Sequence, residues 1–112
     1  MRQCLAFVLG ACLWGGVITA RAQPALDVGA AEALTKKSGC MKCHSVSAKK
    51  EGPPFKETAG KYKGKADAEQ KLYTHLTTNP KVKVDGKEEL HEALKTKNDA
   101  EIKNVIQYIL SR

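Results

Sequence analysis

The clearest pattern of apolar and polar positions lies at the end of the chain. Apolar residues recur there at intervals of three and four, which predicts a helix with one buried face made by Ile102, Val105, Ile106, Ile109 and Leu110. Asn98 is a favoured N-cap residue and Glu101 stands three positions later, so we expect a capping box at the start of this helix. This apolar face must pack on something, and we expect an alanine-rich earlier helix to cover it.

Three earlier segments have helical patterns, and they complete an all-α interpretation with long loops. Residues 25–37 predict a first helix, with an apolar side made by Leu26, Ala30, Ala33 and Leu34. A short helix is expected over residues 55–59. Residues 66–78 predict a further helix that ends at Asn79-Pro80, with a face made by Ala68, Leu72, His75 and Leu76. Valines then alternate with lysines over residues 81–85, and Asp85-Gly86 is a turn signal.

The first 22 residues have the pattern of a secretory signal peptide. Arg2 gives a positive start, residues 5–18 carry no charge, and Ala20-Arg21-Ala22 is a cleavage pattern of small residues. The apolar run is shorter than the roughly 20 residues of a membrane-spanning helix. We therefore expect cleavage after Ala22 and a single periplasmic domain, residues 23–112, without stable membrane insertion. An uncleaved anchor, or lipid attachment at Cys12, is the alternative.

Cleavage would change the composition on which the fold depends. It would leave two cysteines, four aromatic residues, and 17 basic against 12 acidic residues. A domain of this size with so few large side chains has little from which to build a core, and one closely spaced cysteine pair makes no disulfide framework. A bound cofactor would fill the core. The positive charge favours an acidic protein partner, and nucleic acid is not expected because few aromatics could stack on bases.

The motif that decides the chemistry is Cys40-Met41-Lys42-Cys43-His44, the attachment pattern of c-type haem. Its two thiols add to the two vinyl groups of the haem, and the next residue then stands under the iron. We therefore predict one covalent haem c on Cys40 and Cys43, with His44 as the proximal axial ligand. A thioredoxin-like dithiol would need a preceding strand, and a zinc site would need four suitably spaced ligands. The residues around the motif favour neither.

With this motif the chain resembles the small bacterial class I cytochromes c, over about residues 25–112. The residues that carry the resemblance are Gly39 to His44, Gly52-Pro53-Pro54-Phe55 and the last helix. The resemblance implies N- and C-terminal helices packed together around one haem. It also implies that the Pro53 carbonyl accepts a hydrogen bond from His44 and so orients its ring. Tyr108 would pack on the first helix, where Leu34 must serve because no aromatic precedes the motif.

The second axial ligand in that family is usually a methionine before the last helix, and this chain departs from the pattern. Its methionines are Met1 and Met41 alone, and Met41 lies inside the haem motif. When Tyr108 is aligned with the family's aromatic residue, His91 falls within one residue of the usual methionine. We therefore predict His91 as the distal ligand and a haem propionate contact for His75.

The resemblance implies an electron carrier, not an enzyme. Histidine in place of the family's methionine would give it a bis-histidine haem of low potential. Its partner would be an acidic redox protein: a reductase, an oxidase or a dehydrogenase. The alternative is a haem protein that binds or senses a small ligand at an open or displaceable sixth site. We also expect lysines close to the motif to ring the haem edge: Lys42, Lys49, Lys50 and Lys56.

Overall fold

The computed structural model describes residues 16–17 and 24–112, so the predicted signal peptide and its cleavage site fall almost wholly outside the described residues. The described chain is mostly helical, as predicted, and adds a small two-stranded antiparallel sheet. Its elements are α1 (Val28–Lys37), a 3₁₀ turn (Cys40–Lys42), α2 (Phe55–Tyr62), α3 (Ala68–Thr77), β1 (Lys81–Val84), β2 (Lys87–Leu90) and α4 (Asp99–Leu110). Among the described residues, no helix combines the length and apolar character needed to span a membrane.

Helix α4 forms the centre of the core, because α1, α2 and α3 all pack on it. Its predicted apolar face is buried at Ile102, Val105, Ile106 and Ile109. Asn98 caps the helix, as its side chain accepts hydrogen bonds from the backbone of Ala100 and Glu101. The predicted capping box forms only in part, because the Glu101 side chain does not bond to the backbone N–H of Asn98. The Glu101 carboxylate accepts from the Thr96 hydroxyl, and that same hydroxyl accepts from the Asn98 N–H.

Helix α1 packs on α4 through a different face from the one predicted. Ala31 and Thr35 are 0% and 2% exposed, whereas Ala30 and Ala33 are exposed. The helix begins three residues later than expected, at Val28, with Asp27 as its N-cap. The orientation is fixed by a reciprocal pair: the Asp27 N–H donates to Asn104 Oδ1 at 2.9 Å, and Asn104 Nδ2 donates to the Asp27 carbonyl at 2.8 Å.

Tyr108 makes the aromatic contact that the resemblance implied. Its side chain is buried against the core, and its hydroxyl donates to Glu32 of α1 at 3.4 Å. The ring of Phe55, at the start of α2, meets the Tyr108 ring edge-on with centroids 6.0 Å apart. Leu34 is only half-buried and flanks this contact. Tyr108 therefore joins α1 and α2 through α4.

The segment between α3 and α4 contains a hairpin that helical patterning did not predict. Strands β1 and β2 pair from Lys81 with Leu90 to Val84 with Lys87. The connecting residues Asp85 and Gly86 both have positive φ, 49° and 78°, which is the backbone of a two-residue hairpin turn. The turn signal was thus interpreted correctly, but four-residue strands are too short for alternation alone to identify them.

The packing on α4 leads to a stability prediction. Ile106 is 0% exposed at the centre of the core, so Ile106→Ala should lower the free energy of unfolding by about 2–5 kcal/mol. Val28→Ala is the matched control, because Val28 is 39% exposed and a surface change should stay within about 0.5 kcal/mol. Urea unfolding of the holoprotein measures both. Equal losses in the two variants would contradict a core centred on α4.

Candidate haem site

The Cys-x-x-Cys-His motif folds as a tight turn directly after α1. Gly39 ends the helix with a φ of 77°, the left-handed conformation that glycine adopts without a steric penalty. The turn is then held by the backbone N–H groups of Cys43 and His44, which both donate to the Cys40 carbonyl, at 3.2 and 2.9 Å. As a result, Cys40, Cys43 and His44 all line the same cavity.

That cavity has a volume of about 480 Å³, within the range of about 300–1,000 Å³ typical of cofactor sites. Its wall is largely apolar and comes from all parts of the fold, including Phe55, Tyr62, Leu72, Leu76, Val105 and Ile109. A large planar apolar cofactor suits such a wall. The space also accounts for how a chain with few large side chains forms a core.

The two cysteines are free thiols whose pKa values are both raised. Burial raises the pKa of Cys40. The pKa of Cys43 is raised chiefly by its hydrogen bond to the Glu51 carboxylate, in which Sγ donates at 3.1 Å. A redox-active dithiol has a lowered cysteine pKa, so the raised pKa values of Cys40 and Cys43 do not favour a redox dithiol. Within residues 24–112, no group of three or more His, Cys, Asp or Glu side chains is arranged to hold a metal ion by itself.

His44 is oriented by the loop that follows it. Its Nδ1 lies 2.8 Å from the Pro53 carbonyl oxygen. Since a carbonyl can only accept, Nδ1 carries the proton, and the lone pair of Nε2 is left for a metal. The loop is folded back by the Gly52 N–H, which donates to the Cys43 carbonyl at 2.8 Å. The ring of Phe55 also stacks on the His44 ring, with centroids 5.7 Å apart and an angle of 24° between the ring planes.

Gly52 is a site residue whose role the sequence analysis missed. A Cβ atom at this position would lie 2.5 Å from Cε1 and 2.8 Å from Nδ1 of His44, far inside van der Waals contact. Only glycine therefore lets the backbone pass beside the imidazole. The sequence did contain a signal for this role: a glycine directly precedes Pro53-Pro54, and the Pro53 carbonyl was expected to reach His44.

The other two histidines lie in the same cavity. The ring centroids of His44 and His91 are 6.0 Å apart, and those of His75 and His91 are 4.1 Å apart. The backbone of His91 is anchored at the end of α3: its N–H donates to the Pro80 carbonyl at 2.8 Å, and Asn79 Nδ2 donates to its carbonyl at 3.0 Å. The structure thus brings together all three histidines of the chain.

Burial lowers the pKa values of His75 and His91 and so favours the neutral form of both rings. It lowers the pKa of His91 to about 4, with smaller contributions from the nearby His75 and His44. The pKa of His75 is also lowered, first by burial and then by His44 and Lys61. His91 Nδ1 is buried without a hydrogen-bond partner among the described residues. A neutral imidazole that lines the cavity can bind a metal through a ring nitrogen.

The rim of the cavity carries charges of both signs. Of the four lysines expected around it, only Lys42 contributes to the wall, together with two other lysines, Lys61 and Lys83. Four glutamates lie there too: Glu51, Glu57, Glu89 and Glu92. Lys50 is turned instead to the backbone, where its Nζ donates to the Met41 carbonyl at 2.7 Å. The mouth of the cavity is therefore mixed in charge and not a lysine ring.

The close approach at Gly52 leads to a prediction. Gly52→Ala should displace the His44 ring, weaken its hydrogen bond to Pro53, and cost about 1–3 kcal/mol of stability, the usual penalty for overpacking. Gly60→Ala is the matched control, because no atom lies within 4 Å of a Cβ there and alanine favours the helix. Unfolding of the two holoproteins, with the NMR resonances of His44, tests the difference. Comparable stability with an unmoved ring would contradict the contact.

Comparison with known proteins agrees with this architecture. Residues 28–112 match the family model for cytochrome c. Cytochrome c2 of Rubrivivax gelatinosus is 37% identical over 78 residues, which is 69% of this chain and 91% of that protein. The match to cytochrome c-552 of Hydrogenobacter thermophilus, 51% identical, is confined to 37 residues, or 33% of this chain and 38% of that protein.

Solved structures share the fold as well. The class 1 cytochrome MtoD from Sideroxydans lithotrophicus ES-1 superposes with a TM-score of 0.74 at 47% identity, over 78% of this chain and 97% of that chain. Cytochrome c552 of Nitrosomonas europaea superposes with a TM-score of 0.56 at 29% identity, over 71% and 96% of the two chains. The family model covers most of the chain, and the protein therefore belongs to the cytochrome c family, as a small monohaem member with covalently attached c-type haem.

Proposed function

We propose that this cytochrome is an electron carrier whose haem iron is held between His44 and His91. The haem supplies the one-electron chemistry by cycling between ferric and ferrous iron. The protein makes and breaks no other bonds; it holds the haem, sets its axial ligands and presents it to partners. The observation that carries the proposal is the distance between the two rings.

A shared iron imposes a definite spacing on its two imidazole ligands. Metal–nitrogen bonds of about 2 Å place two rings on opposite sides of one ion with centroids roughly 6 Å apart. His44 and His91 are 6.0 Å apart, which matches this spacing. His75 and His91 are 4.1 Å apart, which is too close for the two to lie on opposite sides of one ion. This geometry supports His91 opposite His44.

The inventory of ligands supports the same pair. Residues 24–112 contain a single methionine, Met41. It lies in the 3₁₀ turn of the motif, between the two cysteines, and so is not placed to be the second ligand. His91 is neutral because its pKa is about 4, whereas a lysine would have to lose a proton first. For His75 we propose a contact with a haem propionate. Lys61 also lines the cavity and acts electrostatically on His75, so that region would favour a carboxylate.

The residues around the proximal ligand tune its chemistry. Covalent bonds from Cys40 and Cys43 would keep the haem in place in both oxidation states. The hydrogen bond from His44 Nδ1 to the Pro53 carbonyl would fix the ring and make its Nε2 a stronger donor. Methionine ligation raises a haem potential, so histidine in its place should give a lower one. We propose export to the periplasm, with cleavage after Ala22, and an acidic redox protein as partner.

One prediction from the proposed function concerns the covalent bonds between the haem and the two cysteines. The double variant Cys40→Ser/Cys43→Ser should lose covalent haem, and each single variant should retain it poorly, because the thioether bonds to the haem need both thiols and both cysteines line the cavity of about 480 Å³. A pyridine haemochrome spectrum and extraction with acidified organic solvent measure attachment. Met41→Leu, between the two cysteines and similar in volume, is the control and should keep its haem and its spectrum. Haem that resists extraction from the double variant would contradict both attachment sites.

Another prediction from the proposed function concerns His91 as the distal ligand. Wild-type ferric protein should be low-spin without added ligand. His91→Ala should become high-spin and let carbon monoxide bind the ferrous form, since the iron then lacks its sixth ligand. His75→Ala is the control in the same cavity, and it should stay low-spin with only a small shift in potential. Absorption spectra of the purified ferric and ferrous proteins distinguish these outcomes.

Two results would contradict this assignment. If His75→Ala opened the iron while His91→Ala did not, the two histidines would have exchanged roles. If the wild-type ferric protein were already high-spin and bound carbon monoxide rapidly, the sixth site would be open. In that case the protein would be a small-ligand carrier or sensor instead of an electron carrier.

A further inference from the structure

A second concave surface lies beside the haem cavity, between the end of α2, the loop that follows it and the end of α4. Its volume is about 570 Å³, and we call it the cationic cleft. The charged side chains that line it are all positive: Lys56, Lys63, Lys65 and Arg112. The cleft thus differs from the haem mouth, where glutamates outnumber lysines.

Among the described residues, the lysines of the cationic cleft form no salt bridge, although Lys65 acts electrostatically on Asp67. The three salt bridges of the described chain join Lys71 to Asp67, Lys81 to Glu88 and Lys103 to Asp99. None of them includes a lysine of the cleft. The nearby Asp67 is held by Lys71 at 2.7 Å. The positive potentials of the cleft lysines therefore add, and complementary negative charge would be attracted.

Two aromatic rings lie close to cationic side chains at or beside the cleft. The Arg112 guanidinium lies 4.5 Å from the centroid of the Tyr108 ring, which holds it at the end of α4. Lys61 and Lys65 lie over the Tyr62 ring, 5.6 and 6.0 Å from its centroid. Tyr62 lines both the cationic cleft and the haem cavity. Tyr62 therefore connects the wall of the cleft with the wall of the haem cavity.

We infer that the cationic cleft is the docking surface for a carboxylate-rich face of the redox partner. This inference rests on the proposed electron-carrier function and adds to it the place where the partner binds. Lys56, Lys63 and Lys65 are exposed, and flexible point charges of this kind suit a diffuse acidic protein surface better than a small anion held by fixed donors. Such contacts speed encounter without binding tightly, as repeated electron exchange requires.

The test uses the holoprotein and hexaglutamate as an acidic probe, with NMR shift changes measured at low ionic strength. Shifts should centre on residues 56–65 and 110–112, and the affinity should fall with added salt, because the Debye length is about 10 Å at 0.1 M. Lys63→Glu/Lys65→Glu should weaken binding about tenfold, since two attractive contacts become repulsive. Lys49→Glu/Lys97→Glu changes net charge equally and should weaken it much less. Lys97 precedes α4, about 18 Å along the helix axis from the cleft.

Three results would overturn the inference. One is equal weakening in both double variants, which would indicate net charge alone. Another is a set of shifts centred on the haem mouth. The third is binding to vesicles of phosphatidylcholine and phosphatidylglycerol that depends on Lys63 and Lys65, without binding of the peptide, which would make the cleft a membrane contact. Because the assay records binding, a failure here leaves the spectroscopic test of His91 intact, and the reverse also holds.

Discussion

The constraint on which the rest of this structure depends is a core that the chain does not fill by itself. Three helices pack on α4, yet they leave a cavity of about 480 Å³ beside Val105 and Ile109. A chain with so few large side chains cannot bury enough apolar surface to close that space. The haem therefore acts as a structural element as well as a redox centre. Attachment at Cys40 and Cys43 would place it there permanently, so folding and function share one site.

The two sides of the cavity are held by different physical means. At His44 a side chain is fixed directly: it bonds to Pro53, stacks on Phe55 and lies against Gly52. At His91 the backbone is fixed, because its N–H and its carbonyl are both hydrogen-bonded. The protein thus orients the His44 ring itself, whereas at His91 it positions the backbone.

Most of the fold could be predicted from the sequence because its elements are encoded locally. The apolar stripe of α4, its Asn98 cap and the buried face of α3 all follow from spacing within one helix. The face of α1 could not be predicted in this way. Alanine and threonine differ little in hydrophobicity from their neighbours on the helix. The orientation of α1 is set by the hydrogen bonds between Asp27 and Asn104, which are 77 residues apart in sequence. The same applies to Glu101, whose carboxylate found Thr96 in place of the expected backbone N–H.

The site followed a similar division. Local spacing indicated Cys40, Cys43 and His44, and the positions of Pro53 and His91 were inferred from resemblance to the family. The charge of the rim could not be predicted from neighbours in sequence. Glu89 and Glu92 reach it from the hairpin and the residues after it, and the lysines near the motif mostly do not line it. Gly52 is a further case, because a glycine reveals its role only when the side chain packed against it is known.

The hairpin explains how His91 can be held firmly in a segment without helical structure. The contacts of His91 with Pro80 and Asn79 close the base of the hairpin, so residues 81–90 form a loop that leaves from α3 and returns to it. Leu94 then anchors the chain again, as its N–H donates to the Leu76 carbonyl at 2.9 Å. His91 is therefore attached just beyond the end of α3, and Leu94 is attached to α3 itself three residues later. The position of His91 depends on that helix end rather than on the length of the hairpin, and α3 also carries His75. A single helix thus helps to position both His75 and His91 in the cavity.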